Sequence, residues 1–87
     1  MKISDRAKEI LKWEKMTNRT LEEKTGISRD TWSAMRNGKI RTNEDHLEAI
    51  NNLWPKYSYW IMTGYELPEA GQISPETEQT RINLKRA

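Results

Sequence analysis

The stretch NRTLEEKTGISRDTWSAMRNGK, residues 18–39, decides the fold of this 87-residue chain. Its first part predicts a short helix, 19–25, and Gly26 is suited to end that helix because glycine accepts a left-handed backbone. A serine then caps a second short helix, 29–37, which Gly38 ends in the same way. Two short helices joined by a brief turn that contains a glycine are predicted to form a helix-turn-helix.

The sequence on both sides of this stretch predicts three further helices. Apolar residues recur at helical spacing over about 3–16, before the stretch, and over 43–53 and 56–63 after it. Phenylalanine and valine are absent, and the isoleucines and leucines follow helical spacing, so a mostly β fold is not expected. We therefore predict an all-α chain in which a compact five-helix domain occupies residues 1–64.

Residues 65–87 have a different character, with two prolines and mostly polar neighbours. A serine-proline-glutamate sequence could start a helix near 75–85. However, Ile82 and Leu84 stand two residues apart and cannot share one helical face. We therefore expect a mobile C-terminal tail in preference to a docked helix.

The charge of the chain is unevenly distributed. The net charge is +2, but residues 1–41 hold 11 Lys or Arg against 6 Asp or Glu, and residues 42–87 hold 4 against 7. A basic half on a small domain indicates a polyanionic partner, although an ordinary solvated surface gives similar counts.

Composition argues against several classes of function. With no cysteine and a single histidine, neither a metal site nor a cysteine nucleophile is expected, and we expect no cofactor. His46 is expected at the surface of the fourth helix. No catalytic constellation is recognisable, so an enzyme is not expected. The lack of cysteine fits a reducing cytosol, and no apolar run is long enough for a membrane span or signal peptide, so we expect a cytoplasmic protein.

Eight residues of the central stretch stand at the positions of a known pattern, which runs from a leucine through the turn glycine and a hydroxyl cap to a closing Gly-Lys. They are Leu21, Gly26, Ile27, Ser28, Trp32, Met35, Gly38 and Lys39. The stretch thereby resembles the phage repressor and Cro type of helix-turn-helix DNA-binding domain. Residues 59–64, YWIMTG, resemble the end of that family's fifth helix. The resemblance implies a lambda-repressor-like fold and a DNA-binding transcriptional regulator encoded by a phage or prophage.

Two residues depart from the family pattern. Glu22 stands where the family usually has alanine, and its side chain is expected to bend toward solvent. Arg36 stands where an acid commonly pairs with a basic residue of the first helix. Arg36 is therefore expected either to form a reversed ion pair with Glu9 or Glu14, or to face a DNA phosphate.

The resemblance also indicates which residues would read DNA bases. An α-helix fits the major groove, where each base pair presents its own donors and acceptors. Arg29 can donate to guanine O6 and N7, while Asp30 either accepts from cytosine N4 or only orients Arg29. The expected base-reading residues on the first turn and outward face of the helix are Ser28, Arg29, Asp30, Ser33 and Ala34.

Affinity is expected to come from contacts with phosphates on both sides of the reading helix. The expected phosphate-binding residues are Asn18, Arg19, Arg36, Asn37, Lys39 and Arg41. Because one helix reads few base pairs, a homodimer on half-sites ~34 Å apart is expected. Part of an aromatic cluster could form the dimer contact, although core packing is the preferred role of its members, which are Trp54, Tyr57, Tyr59 and Trp60.

A second class of function remains open at this point. The chain could be a protein-interaction module, such as an antitoxin or anti-repressor, that docks a partner through its tail of residues 65–87. Such a protein could still bind DNA to regulate its own gene, so the two functions overlap.

Overall fold

The computed structural model describes residues 1–86, which form six α-helices and two one-turn 3-10 helices. The 3-10 helices, Pro55–Tyr57 and Pro68–Ala70, precede the fifth and sixth α-helices. The all-α prediction is confirmed, and none of the described helices is both long and apolar enough to span a membrane. The α-helices are α1 Ile3–Trp13, α2 Asn18–Thr25, α3 Arg29–Arg36, α4 Glu44–Leu53, α5 Ser58–Thr63 and α6 Pro75–Arg86.

Helices α2 and α3 form the predicted helix-turn-helix. The Thr17 hydroxyl oxygen accepts a hydrogen bond from the Thr20 backbone N–H at 3.1 Å and caps α2. Gly26 ends this helix in the left-handed region, with φ of 77°. The Ser28 side chain then caps α3 by accepting from the Thr31 N–H at 3.2 Å. Local capping and one glycine thus set the positions of both helices.

The core lies between α1, the helix-turn-helix and the helices that follow. Its apolar members come from every α-helix up to α5 and from the segment just before α6, so the helices share one core. The buried apolar residues are Ala7, Ile10, Leu11, Leu21, Trp32, Met35, Ile50, Tyr57, Ile61 and Ile73.

The end of α1 is closed by a residue that is not glycine. Lys15 has a φ of 55°, in the left-handed region. The Lys15 N–H donates to the Lys12 carbonyl at 3.1 Å, and the Met16 N–H donates to the Leu11 carbonyl at 3.0 Å. These two bonds form a Schellman motif, in which glycine is the residue usually found at the position of Lys15.

Residues 65–86 are attached to the domain, which differs from the expected mobile tail; Ala87 lies outside the described residues. Ile73 is only 3% exposed, and its N–H donates to the Lys56 carbonyl at 2.9 Å. The Glu66 carboxylate accepts from the Ser74 N–H at 3.0 Å, and α6 packs against α1. The buried anchor, Ile73, precedes α6, so the spacing of apolar residues within that helix does not reveal the attachment.

His46 is buried, whereas the sequence analysis expected it at the surface of the fourth helix. It is 1% exposed, and its ring centroid lies 4.9 Å from that of Trp32. Helix α4 begins at an Asn43 cap, whose side chain accepts from the His46 N–H at 3.1 Å. In return, His46 Nδ1 accepts from the Asn43 N–H at 3.2 Å. The histidine therefore serves as a capping residue that turns inward against α3.

Candidate DNA-binding surface

Helix α3 has one buried and one accessible face. Trp32 and Met35 are fully buried against the domain. Of the five expected base-reading residues, Ser28, Arg29 and Asp30 are exposed, and Ser33 and Ala34 are half-buried. The face expected to meet DNA therefore stays accessible, although the Ser28 hydroxyl is already engaged in capping.

Arg29 is held by Glu22 of α2. Glu22 Oε1 accepts hydrogen bonds from Arg29 Nε at 3.0 Å and from Nη2 at 2.7 Å. Glu22 Oε2 accepts from the Arg29 backbone N–H at 2.9 Å. One carboxylate therefore fixes both the backbone and the guanidinium of the first residue of α3.

The contact between Glu22 and Arg29 shifts the pKa values of both side chains. The hydrogen bonds and the positive charge of Arg29 lower the pKa of the Glu22 carboxyl, and the Glu22 carboxylate raises the pKa of Arg29. Both groups are thus charged at neutral pH. Glu22 bends toward α3 rather than simply into solvent, and it makes the contact with the Arg29 guanidinium that was one of the two alternatives for Asp30.

Arg36 has an intramolecular role that differs from the reversed ion pair with Glu9 or Glu14. Its Nη1 donates to the Met16 carbonyl at 2.7 Å and to Asn18 Oδ1 at 2.8 Å. Glu9 and Glu14 accept from aromatic side chains instead, so the reversed ion pair is wrong. Partial burial lowers the pKa of Arg36. The arginine ties the end of α3 to the segment before α2.

The remaining expected phosphate contacts lie on the surface. Arg19 is 74% exposed in its side chain and pairs with Glu23 at 3.5 Å. Asn37, Lys39 and Arg41 are exposed after α3. The loop that carries them folds back on the helix, because the Lys39 N–H donates to the Ala34 carbonyl at 2.8 Å.

Arg41 shares a groove with two lysines that sequence reasoning missed. The groove encloses about 620 Å³, and Lys2, Lys8 and Arg41 are among the residues that line it. The start of α1 therefore extends the basic surface of the loop after α3. No sequence pattern connects these residues, because the fold alone brings the two segments together.

The aromatic cluster considered for a dimer contact is divided by the fold. Tyr57 is 1% exposed, and its hydroxyl donates to Glu14 Oε1 at 2.7 Å. Burial, followed by the contact with Glu14, raises the pKa of Tyr57. Trp54, Tyr59 and Trp60 are half-buried. Tyr57 is therefore a core residue, and the other three keep some accessible surface.

Sequence reasoning missed the contact between Glu22 and Arg29, although the sequence held one indication that Glu22 has a special role. Its departure from the family's usual alanine marked the position as unusual. The pattern could not identify its partner, because Arg29 lies seven residues away on another helix.

A capped helix-turn-helix with an accessible polar face and basic flanks defines the DNA-binding class of helix-turn-helix proteins. The family described as Cro/C1-type HTH DNA-binding domain matches residues 8–52, and the chain belongs to this family. The DNA-binding function predicted from the sequence is thereby confirmed.

A solved structure resembles nearly the whole chain. It is described as "the structure of Pf6r from the filamentous phage Pf6 of Pseudomonas aeruginosa PA01". The two share 33% sequence identity and give a TM-score of 0.84, with 98% of this chain and 99% of that chain covered. The sequence matches no curated protein. These similarities support the prediction of a phage-type DNA-binding regulator and do not favour the protein-interaction alternative.

Proposed function

We propose that this protein is a sequence-specific transcriptional regulator of a phage or prophage, and that it reads double-stranded operator DNA with α3. The observation that carries the proposal is the division of α3 into a buried apolar face, Trp32 and Met35, and an accessible polar face. A helix with that division can enter the major groove while the core holds it in place.

The first turn of α3 supplies the base contacts in this proposal. Arg29 donates to guanine O6 and N7, and Asp30 accepts from cytosine N4. Ser33 and Ala34 meet a thymine methyl group or a phosphate further along the groove. Ser28 contributes through its cap, which fixes the start of the helix, and through its exposed position beside Arg29.

Phosphate contacts on the two sides of α3 supply most of the affinity. Arg19, with the start of α2, binds one strand, because the N–H groups of a helix start favour anions. Asn37, Lys39 and Arg41 bind the backbone beyond the end of α3. Asn18 contributes through its amide N–H₂, since its oxygen accepts from Arg36. Arg36 contributes indirectly by bracing α3.

The protein acts as a homodimer in the cytoplasm, without a cofactor and without a catalytic activity. Helix α3 has eight residues and is ~12 Å long at about 1.5 Å per residue, so it spans only a few base pairs. Two protomers on half-sites ~34 Å apart would supply enough sequence discrimination. The accessible parts of Trp54, Tyr59 and Trp60 are candidates for the dimer contact.

Selection of binding sites from random duplex DNA, carried out at two salt concentrations, tests this function. We expect enrichment of a palindrome whose half-sites are one helical turn apart. We also expect Arg29→Ala to lose about 1–3 kcal/mol of binding free energy at one or two base pairs of each half-site. Absence of any enriched sequence would contradict the proposal, and equal losses on selected and random DNA would contradict base reading by Arg29.

A further inference from the structure

The contact between Glu22 and Arg29 divides the donors of the guanidinium into two groups. An arginine guanidinium has five N–H donors, arranged at Nε, Nη1 and Nη2 in one plane. Glu22 Oε1 accepts from Nε and from Nη2. The carboxylate therefore covers the edge formed by Nε and Nη2, and the end formed by Nη1 and the second N–H of Nη2 points away from it.

The uncovered end matches the acceptor pattern of one base. Two parallel N–H groups fit guanine, which presents O6 and N7 together in the major groove. Adenine places a donor next to N7, and the pyrimidines lack this pair of acceptors. An arginine held in this way therefore presents a fork for guanine.

The same carboxylate also fixes the backbone from which the Arg29 side chain extends. Glu22 Oε2 accepts from the Arg29 backbone N–H at 2.9 Å, so the first turn of α3 and the guanidinium are fixed relative to each other. The Arg29 side chain is still 53% exposed. The rotamer freedom that a free arginine would lose on DNA binding is thus already restricted in the unbound protein.

We propose that Glu22 is a positioning residue that determines specificity, because it orients Arg29 so that the Nη1 and Nη2 end reads guanine. This inference rests on the proposed function, in which Arg29 contacts a base. It assigns a role in base selection to a residue of α2 outside the base-reading set.

The test compares Glu22→Gln with Glu23→Gln. Both changes remove one negative charge from α2, but Glu23 pairs with Arg19 at 3.5 Å and forms no hydrogen bond with Arg29 in the part of the chain that the structure describes. In the Glu22→Gln variant, the amide oxygen of the new side chain can still accept from the Arg29 backbone N–H. Dissociation constants are measured on the selected duplex, on the same duplex with the guanine pair replaced by each other pair, and on random duplex.

We expect both variants to bind random duplex more tightly than the wild type, because both remove a charge that repels phosphates. The Glu22→Gln variant alone should lose discrimination for guanine, by roughly tenfold, which lies within the range for one bidentate contact. The Glu23→Gln variant should keep the wild-type discrimination. In an Arg29→Ala background, Glu22→Gln should have no further effect on discrimination, because no guanidinium remains to be oriented.

Unchanged discrimination in a folded Glu22→Gln variant would overturn the inference and would leave Glu22 only as the acceptor for the Arg29 backbone N–H. If that variant fails to fold, Glu22→Ala takes its place, since alanine is the usual residue of the family here, and the same loss of discrimination is expected. The two levels of failure are distinguishable. A wild-type protein that selects no sequence contradicts the proposed function, whereas a selected guanine that depends on Arg29 but not on Glu22 contradicts this inference alone.

Discussion

At the scale of single residues, His46 links folding to pH. It is 1% exposed, its Nδ1 accepts from the Asn43 N–H, and burial lowers its pKa from the ordinary value of 6.5. Neighbouring Asp45 opposes that shift only in part. The unfolded chain therefore binds a proton more readily than the folded chain as the pH falls below about 6.5.

We expect this histidine to make the free energy of unfolding fall as the pH is lowered through about 6.5 toward its folded-state pKa. Above that window the contribution to stability is complete. Urea unfolding at a series of pH values measures the effect, and His46→Gln, which keeps an acceptor for the capping N–H, is the control. Equal pH dependence in the two proteins over this window would contradict the role given to His46.

Lys15 stores backbone strain at the end of α1, because a residue with a side chain at a φ of 55° is disfavoured. Lys15→Gly should raise the free energy of unfolding by about 0.5–1 kcal/mol, since the relief of strain exceeds the added freedom of the unfolded chain. Lys12→Gly, within the same helix, should instead lower stability by about 1 kcal/mol. Urea unfolding of both variants checks this, and destabilisation by Lys15→Gly would show that the strain is negligible.

At the scale of elements, α6 is attached through the segment that precedes it. Ile73 inserts into the core, and the two polar groups of the Gln72 side chain bond to the Tyr59 N–H and the Pro55 carbonyl. On α6 itself, Glu78 pairs with Lys56 at 3.5 Å, whereas Leu84 is 71% exposed. The helix is thus held at its start and exposed toward its end.

We expect Ile73→Ala to lower the free energy of unfolding by about 2–4 kcal/mol, because it leaves a cavity in the shared core. Leu84→Ala removes a side chain from the exposed end of α6 and should change stability by less than about 0.5 kcal/mol. Chemical unfolding followed by circular dichroism measures both. Similar, small effects of the two changes would mean that residues 65–86 do not contribute to the folding of the domain.

At the scale of the whole molecule, the uneven charge predicts how DNA binding depends on salt. The excess of basic residues lies in residues 1–41, which contain the helix-turn-helix, whereas residues 42–87 carry a net negative charge. Each phosphate that a lysine neutralises releases condensed counterions, which makes affinity fall with salt. The slope of log K against log salt is therefore a measure of how many basic residues contact DNA phosphates.

Lys39→Ala should weaken binding to all duplexes alike and reduce the slope of log K against log salt by about 1. Lys85→Ala removes the same charge from the exposed end of α6 and should leave the slope nearly unchanged. Fluorescence anisotropy titrations over a range of salt concentrations measure both slopes. An unchanged slope for Lys39→Ala would remove this residue from the phosphate contacts.

The sequence predicted the helices because their signals are local. Residues 18–39 contain the caps and glycines of α2 and α3, and the spacing of apolar residues marked α1, α4 and the region of α5. The exposed positions of Arg29 and Asp30 follow from the same periodicity, because Trp32 and Met35 fix the inward face of α3. The part of the candidate site that depends on helix phase was therefore predictable.

By itself, then, the sequence determined the helix-turn-helix, the family and the outward face of α3, because neighbours along the chain set caps, turns and helix phase. Only the tertiary structure decided the partners of long polar side chains and the attachment of α6. Glu22 reaches Arg29, Arg36 reaches Met16, and Ile73 enters a core built from distant helices. Such contacts depend on which groups the fold brings together and shields from water, and spacing along one helix does not encode that choice.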